Sequence, residues 1–147
     1  MTVNREAIGK RYEPLTYAVG REKIVEYALA TGETNPRHLD FAAARAAGYA
    51  DVVAPPMFAV VYQARSVAEA MFDPALGIDF TRLVHSEQAF QWQRLVVAGD
   101  ELCTTLTVAD ISEKMEILFY AFATESVDER GEVVCTGTWT NIVRPPQ

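Results

Sequence analysis

The groups most able to do chemistry lie between residues 31 and 58. A carboxylate (Glu33), an amide (Asn35), a turn-forming proline (Pro36) and an imidazole (His38) follow one another closely. Asn-Pro favours a turn and bars continuation of a helix, so these groups are expected on a loop. Held on one loop, a carboxylate and an imidazole can converge on one point. Their ordinary pKa values, about 4.3 and 6.5, let them divide base and acid roles near neutral pH. Taken singly, a loop glutamate is more often a solvated or capping group, and a lone histidine more often structural.

The elements that must position this loop can be read from spacing. Ile24, Tyr27, Ala28 and Thr31 fall on one face of a helix over Arg21 to about Ala30. Gly20 is its expected N-cap, with Val19 and Ile24 as a hydrophobic staple. A short helix follows, from Phe41 to about Ala47, with Asp40 as N-cap and Gly48 as the stop. Ala54-Pro55-Pro56 then opens a third helix, Met57-Phe58-Ala59-Val60-Val61-Tyr62, which should end before Asp73-Pro74. Its early turns are apolar nearly all round, which predicts a helix wrapped by other structure.

The second half reads as strands. Phe90, Trp92 and Arg94 alternate with Gln91 and Gln93, and Leu102 to Val108 alternates with threonines. Met115 to Thr124 is apolar on both faces, as a central strand would be. Val133 to Val143 is rich in β-branched residues around Trp139. Ala98-Gly99-Asp100 and Asp128-Glu129-Arg130-Gly131 are the expected turns. Helices followed by antiparallel strands give an α+β class, with the sheet curled around the third helix.

Composition narrows the field further. The 147 residues suit one domain, residues 1–147, and half of them are hydrophobic. A formal net charge of −7 argues against nucleic acid as the main partner. No apolar run approaches the ~20 residues of a membrane span. The polar stretch Met1 to Arg11 lacks the apolar centre of a signal peptide, so a cytoplasmic location is expected. Cys103 and Cys135 lie far apart on predicted strands and read as small buried hydrophobes. No metal or cofactor is expected.

The stretch Gly32-Glu33-Thr34-Asn35-Pro36-Arg37-His38 resembles the hydratase motif of MaoC-like proteins. Val84-His85-Ser86-Glu87-Gln88-Ala89-Phe90, continuing to Val97-Ala98-Gly99-Asp100, resembles a second strand motif of that family and its Gly-Asp turn. The likeness runs from about Arg5 to Arg144. It is nearest to short actinobacterial members such as the A and C subunits of the (3R)-hydroxyacyl-ACP dehydratase.

This resemblance implies a hot-dog fold, in which a curved antiparallel sheet wraps a central helix. It also implies water chemistry at the β-carbon of an acyl thioester. A trans-2-enoyl thioester carried by CoA or ACP would be hydrated, or a (3R)-hydroxyacyl thioester dehydrated. Carried over by position, Glu33 and His38 would be catalytic and hold one water, with Asn35 bracing their loop. Met57, Phe58, Val61 and Tyr62, with the Val67–Phe80 region, would line an acyl tunnel. A dimer is implied, either a homodimer or a heterodimer with a MaoC-like subunit.

Two departures bear on activity. The motif's aspartate is Glu33 here, one methylene longer. The helix start carries Pro55-Pro56 where the resemblance implies a glycine whose N–H meets the thioester carbonyl. Pro56 has no N–H, so Met57 or Phe58 would have to supply one at the positive helix end. That second departure favours an alternative, a non-catalytic subunit that completes the tunnel of a MaoC-like partner. A thioesterase is a third reading, by analogy of fold alone.

Overall fold

The computed structural model describes residues 4–146. Short strand β1 (Leu15–Ala18) precedes helix α1 (Arg21–Ala30). Then come α2 (Phe41–Ala46) and α3 (Ala59–Met71), the latter entered through a 3-10 turn at Pro56–Phe58. Four long strands complete the chain: β2 (Leu83–Trp92), β3 (Glu101–Lys114), β4 (Ile117–Val127) and β5 (Val133–Val143). They form one antiparallel sheet in the order β1-β3-β4-β5-β2, so the apolar β4 is indeed central.

The helix ends follow their caps. The Asp40 carboxylate accepts from the Ala43 N–H at 2.7 Å. At the end of α1, Gly32 takes φ +77° and lets the Glu33 N–H reach back to the Ala28 carbonyl at 2.9 Å. That closing bond is available because glycine enters the left-handed region at little cost.

Three features differ from the sequence expectation. Met115 and Glu116 are not strand. They form the two-residue turn between β3 and β4, at φ 51° and 62°, closed by the Lys114–Ile117 pair. A two-residue hairpin demands positive φ whatever residues are present, and neither residue advertises that. Strand β1 carried too short a pattern to be seen. Finally, α3 is not wrapped all round. Ala59, Tyr62, Gln63, Ser66, Val67 and Ala70 are buried along one stripe, while Val60, Val61 and Ala68 are half-buried and Ala64 is exposed.

A buried polar cluster fixes α3 against the sheet. Gln63 Oε1 accepts from Thr124 Oγ1 at 2.7 Å and from Trp139 Nε1 at 3.1 Å. Gln63 Nε2 donates to Ser126 Oγ at 3.1 Å, and Ser126 Oγ lies 2.7 Å from Thr104 Oγ1. One helical side chain thus bonds β4 and β5 and reaches β3 through a hydroxyl. Gly137 makes room for it. A Cβ there would stand 2.6 Å from Thr124 Oγ1 and 2.9 Å from Gln63 Oε1.

The segment after α3 is tied down. Asp73 accepts from Lys10 Nζ and Tyr12 Oη, and caps the Pro74–Leu76 turn through the Ala75 N–H. The Lys10 bond, then the Tyr12 and Ala75 bonds, hold the Asp73 carboxyl down to about 2.

Two outcomes follow. Gly137→Ala should destabilise the fold by about 1–3 kcal/mol through overpacking, seen as a lower urea midpoint; an unchanged midpoint would contradict the packing described. Because the Asp73 pKa is depressed in the fold, its contribution is present above about pH 4 and is lost as pH falls towards 2. The stability advantage of wild type over Asp73→Asn should shrink through that window. An advantage undiminished at pH 2 would contradict it.

Candidate active site

The loop after α1 is built from its own hydrogen bonds. Asn35 Oδ1 accepts from the Arg37 N–H at 3.2 Å and the Asn35 carbonyl from the His38 N–H at 3.1 Å. Pro36 occupies the first position of the resulting 3-10 turn, Pro36–His38. Asn35 is exposed and its side chain caps this turn.

His38 is buried, with 3% of its surface exposed. Its Nδ1 lies 2.7 Å from the Val53 carbonyl oxygen. A carbonyl can only accept, so Nδ1 carries the proton and Nε2 presents a lone pair. The Arg37 Nε–H faces that lone pair at 3.4 Å.

The segment that holds His38 is itself clamped. The Val53 N–H donates to the Arg37 carbonyl at 2.9 Å; the Ala54 N–H donates to Val96, and the Ala98 N–H to Val52. Val53 and Val97 form an antiparallel bridge. On the flank, Arg21 makes a bidentate pair with Asp51, at 2.9 Å for both bonds, and stacks on Phe41. The hydrogen bonds from Arg21 lead in holding the Asp51 carboxyl below its ordinary range.

Glu33 is half-buried. Its side chain makes no hydrogen bond or ion pair among the described residues. Its charge adds to burial, the larger cause, in raising the Tyr27 phenol. Tyr27 in turn meets the Phe58 ring edge-on, with centroids 5.4 Å apart. Phe58 is fully buried and Tyr62 nearly so, Val61 is half-buried, and Met57 is 45% exposed. Phe58 and Tyr62 are therefore packed in the core of the lone chain.

At the start of the central helix the Phe58 N–H is used by the Pro55 carbonyl at 2.8 Å. The Pro56 carbonyl accepts from Trp92 Nε1 at 2.8 Å. Of the two N–H groups named by the sequence, Met57 is the one left without an intrahelical acceptor.

Cavities lie elsewhere in the single chain. One of about 640 Å³ spans the sheet face turned away from α3, between Arg11, Thr105, Thr107, Ala123, Thr136 and Thr138. One of about 580 Å³ runs along the outer side of α1. A pocket of about 10 Å³ touches the helix start at Pro55, Pro56, Tyr62 and Trp92. None of these is lined by Glu33 or His38. No cluster of metal-ligating side chains occurs among the described residues, nor is any helix there long and apolar enough to cross a membrane.

The sequence pointed to Glu33, Asn35 and His38. It gave no sign of the Val53 carbonyl, which has no signature, or of the Trp92 bond to Pro56. Arg37 stands inside the same motif, between Pro36 and His38.

This architecture is that of a MaoC-like hot-dog protein, and the comparisons agree. Residues 6–137 match the family described as FAS1-like, dehydratase domain region, and the chain belongs to that family. A UPF0336 protein of Clavibacter michiganensis is 48% identical over 98% of this chain and 97% of its own length. A solved structure described as a MaoC-like dehydratase superposes with a TM-score of 0.82 at 32% identity, covering 95% of this chain. This chain spans 42% of that longer one. The HadBC (3R-hydroxyacyl-ACP dehydratase) complex of Mycobacterium tuberculosis gives 0.79 at 26% identity, over 92% of this chain and 96% of that one.

Proposed function

We propose that this protein hydrates trans-2-enoyl thioesters, or dehydrates (3R)-hydroxyacyl thioesters, carried on CoA or ACP. The observation that carries the reading is His38. It is buried, pinned through Nδ1, and has its Nε2 lone pair turned away from that pin, on the loop that bears an unpartnered Glu33. Such an imidazole is oriented as a base. No metal or other cofactor is needed for this chemistry.

In the hydration direction, His38 Nε2 takes a proton from water as the oxygen bonds to the β-carbon. The π electrons move onto the thioester carbonyl. The proton gained by His38 passes by way of Glu33 to the α-carbon, so the pair ends as it began. The Met57 N–H, at the positive end of the helix, faces the oxygen on which charge develops.

Of the named tunnel residues, Met57 and Val61 remain accessible and would line a channel completed by a second subunit, whereas Phe58 and Tyr62 belong to the core. The uncovered side of α3 mixes Val60, Val61, Ala64 and Ala68 with the exposed charges Arg65 and Glu69, and β2 is an open sheet edge. Met57, Phe72, Val84 and Trp92 are exposed large hydrophobics on those two elements or their ends. A homodimer, or a pairing with a MaoC-like subunit, would cover them. Relatives such as HadBC are described as complexes. Two free cysteines suit a cytoplasmic setting.

A second reading is supported by Pro55-Pro56 and by the fact that neither Glu33 nor His38 lines any of the cavities described above. In it the protein is an accessory subunit that shapes the acyl tunnel of a catalytic partner.

The test is enoyl-CoA hydration by wild type, Glu33→Gln and His38→Ala, each alone and with a MaoC-like partner. Each variant should fold and lose at least ~10²-fold in kcat. Full activity in both variants would remove the pair from catalysis. Activity that resides wholly in the partner would establish the accessory reading.

A further inference from the structure

Arg37 is a half-buried cation in a chain of net charge −7, and no carboxylate pairs with it among the described residues. Its nearest polar neighbours are His38 Nε2 at 3.4 Å and the Tyr49 hydroxyl at 3.5 Å. Both contacts are long for hydrogen bonds, and neither partner is an anion. A guanidinium held this way has spare donors and lacks a counter-charge.

The start of the central helix is short of donors. Pro56 has no N–H, the Phe58 N–H is taken by Pro55, and Met57 alone is left. Arg37 is tied to that helix start through its backbone. Its carbonyl accepts from the Val53 N–H at 2.9 Å, and Val53 also holds His38, three residues before Pro56.

We propose that Arg37 is a further catalytic residue, whose guanidinium binds the thioester carbonyl oxygen and stabilises the enolate that forms there. This role rests on the hydratase reading above. In the free chain the guanidinium rests against the lone pair of His38. When substrate enters, the carbonyl oxygen takes the guanidinium, and Nε2 is released to accept the proton from water. As the oxygen of water bonds to the β-carbon, the π pair shifts to the carbonyl, and the negative charge is met by Arg37 and the Met57 N–H. Protonation at the α-carbon restores the neutral thioester and returns Arg37 to its resting contact.

The same cation could instead hold a phosphate of the carrier. Position favours the carbonyl. Arg37 touches the nitrogen that performs the chemistry, whereas the carrier's phosphates lie a whole pantetheine arm away from the reacting carbons.

Two substrates separate these roles: crotonyl-CoA, and crotonyl N-acetylcysteamine, which has the thioester and no phosphate. Arg37→Leu and Arg37→Lys would be assayed on both, with the MaoC-like partner if wild type needs it, and with a thermal melt to verify folding. The expected result is a kcat loss of about 10²–10³-fold in Arg37→Leu on both substrates. Partial recovery in Arg37→Lys, or on adding free guanidinium, is also expected. A higher KM on crotonyl-CoA alone, with kcat kept, would assign Arg37 to phosphate and overturn the proposal. Unchanged kinetics on both substrates in an active wild-type background would overturn it while leaving the hydratase reading intact. Wild type inactive on both, alone and with a partner, would remove the hydratase reading and this role with it.

Discussion

The hydrogen bond from His38 Nδ1–H to the Val53 carbonyl, 2.7 Å long, is the constraint on which the candidate site depends. It fixes the tautomer, buries the ring and joins the loop after α1 to the segment that leads into α3. Without it, the loop would keep its own turn bonds and the bond from the Val53 N–H to the Arg37 carbonyl, and the ring would be unpinned. A buried imidazole with a single good partner is a rigid group, and proton transfer requires a rigid lone pair. The Val53 segment can serve as an anchor because it is itself bonded to residues 96–98, and Gly99 and Asp100 are bonded in turn to Val19. The anchor therefore connects a helical loop to the frame of the sheet.

A second constraint holds α3 in place. Gln63 sits in the apolar interior and bonds Thr124, Trp139 and Ser126. Burying an amide is costly unless its groups are bonded, and here each end of the amide finds partners. Dispersion contacts alone would let a helix slide along a sheet. A directional network of this kind fixes its register, at the cost of a position, Gly137, where no side chain fits. The fixed register places the helix start, and hence Met57 and the Trp92–Pro56 bond, relative to the His38 loop.

Much of this was legible in the sequence, for physical reasons that differ by element. Helix α1, the Asp40 cap and the Gly48 stop were readable because capping is local chemistry. Strand β5 was readable because its β-branched run is long, and β4 because apolar residues stand on both of its faces, although only one face is fully buried in the lone chain. What escaped depends on distant partners. Strand β1 exists because β3 offers it an edge, and the Met115-Glu116 turn because two long strands must meet. Val53 matters through its backbone N–H and carbonyl, which carry no side-chain signature. Phe58 and Tyr62, named as lining residues, lie packed in the lone chain, since helical spacing cannot distinguish a core face from a tunnel face.

The central claim is that this loop adds water to the double bond of an acyl thioester and leaves the thioester intact. The most direct test is the product formed when wild type, alone and with a MaoC-like partner, is incubated with crotonyl-CoA. Chiral separation should show (3R)-hydroxybutyryl-CoA, with no release of free CoA thiol. Formation of the (3S) product, release of thiol, or no product under either condition would contradict the account.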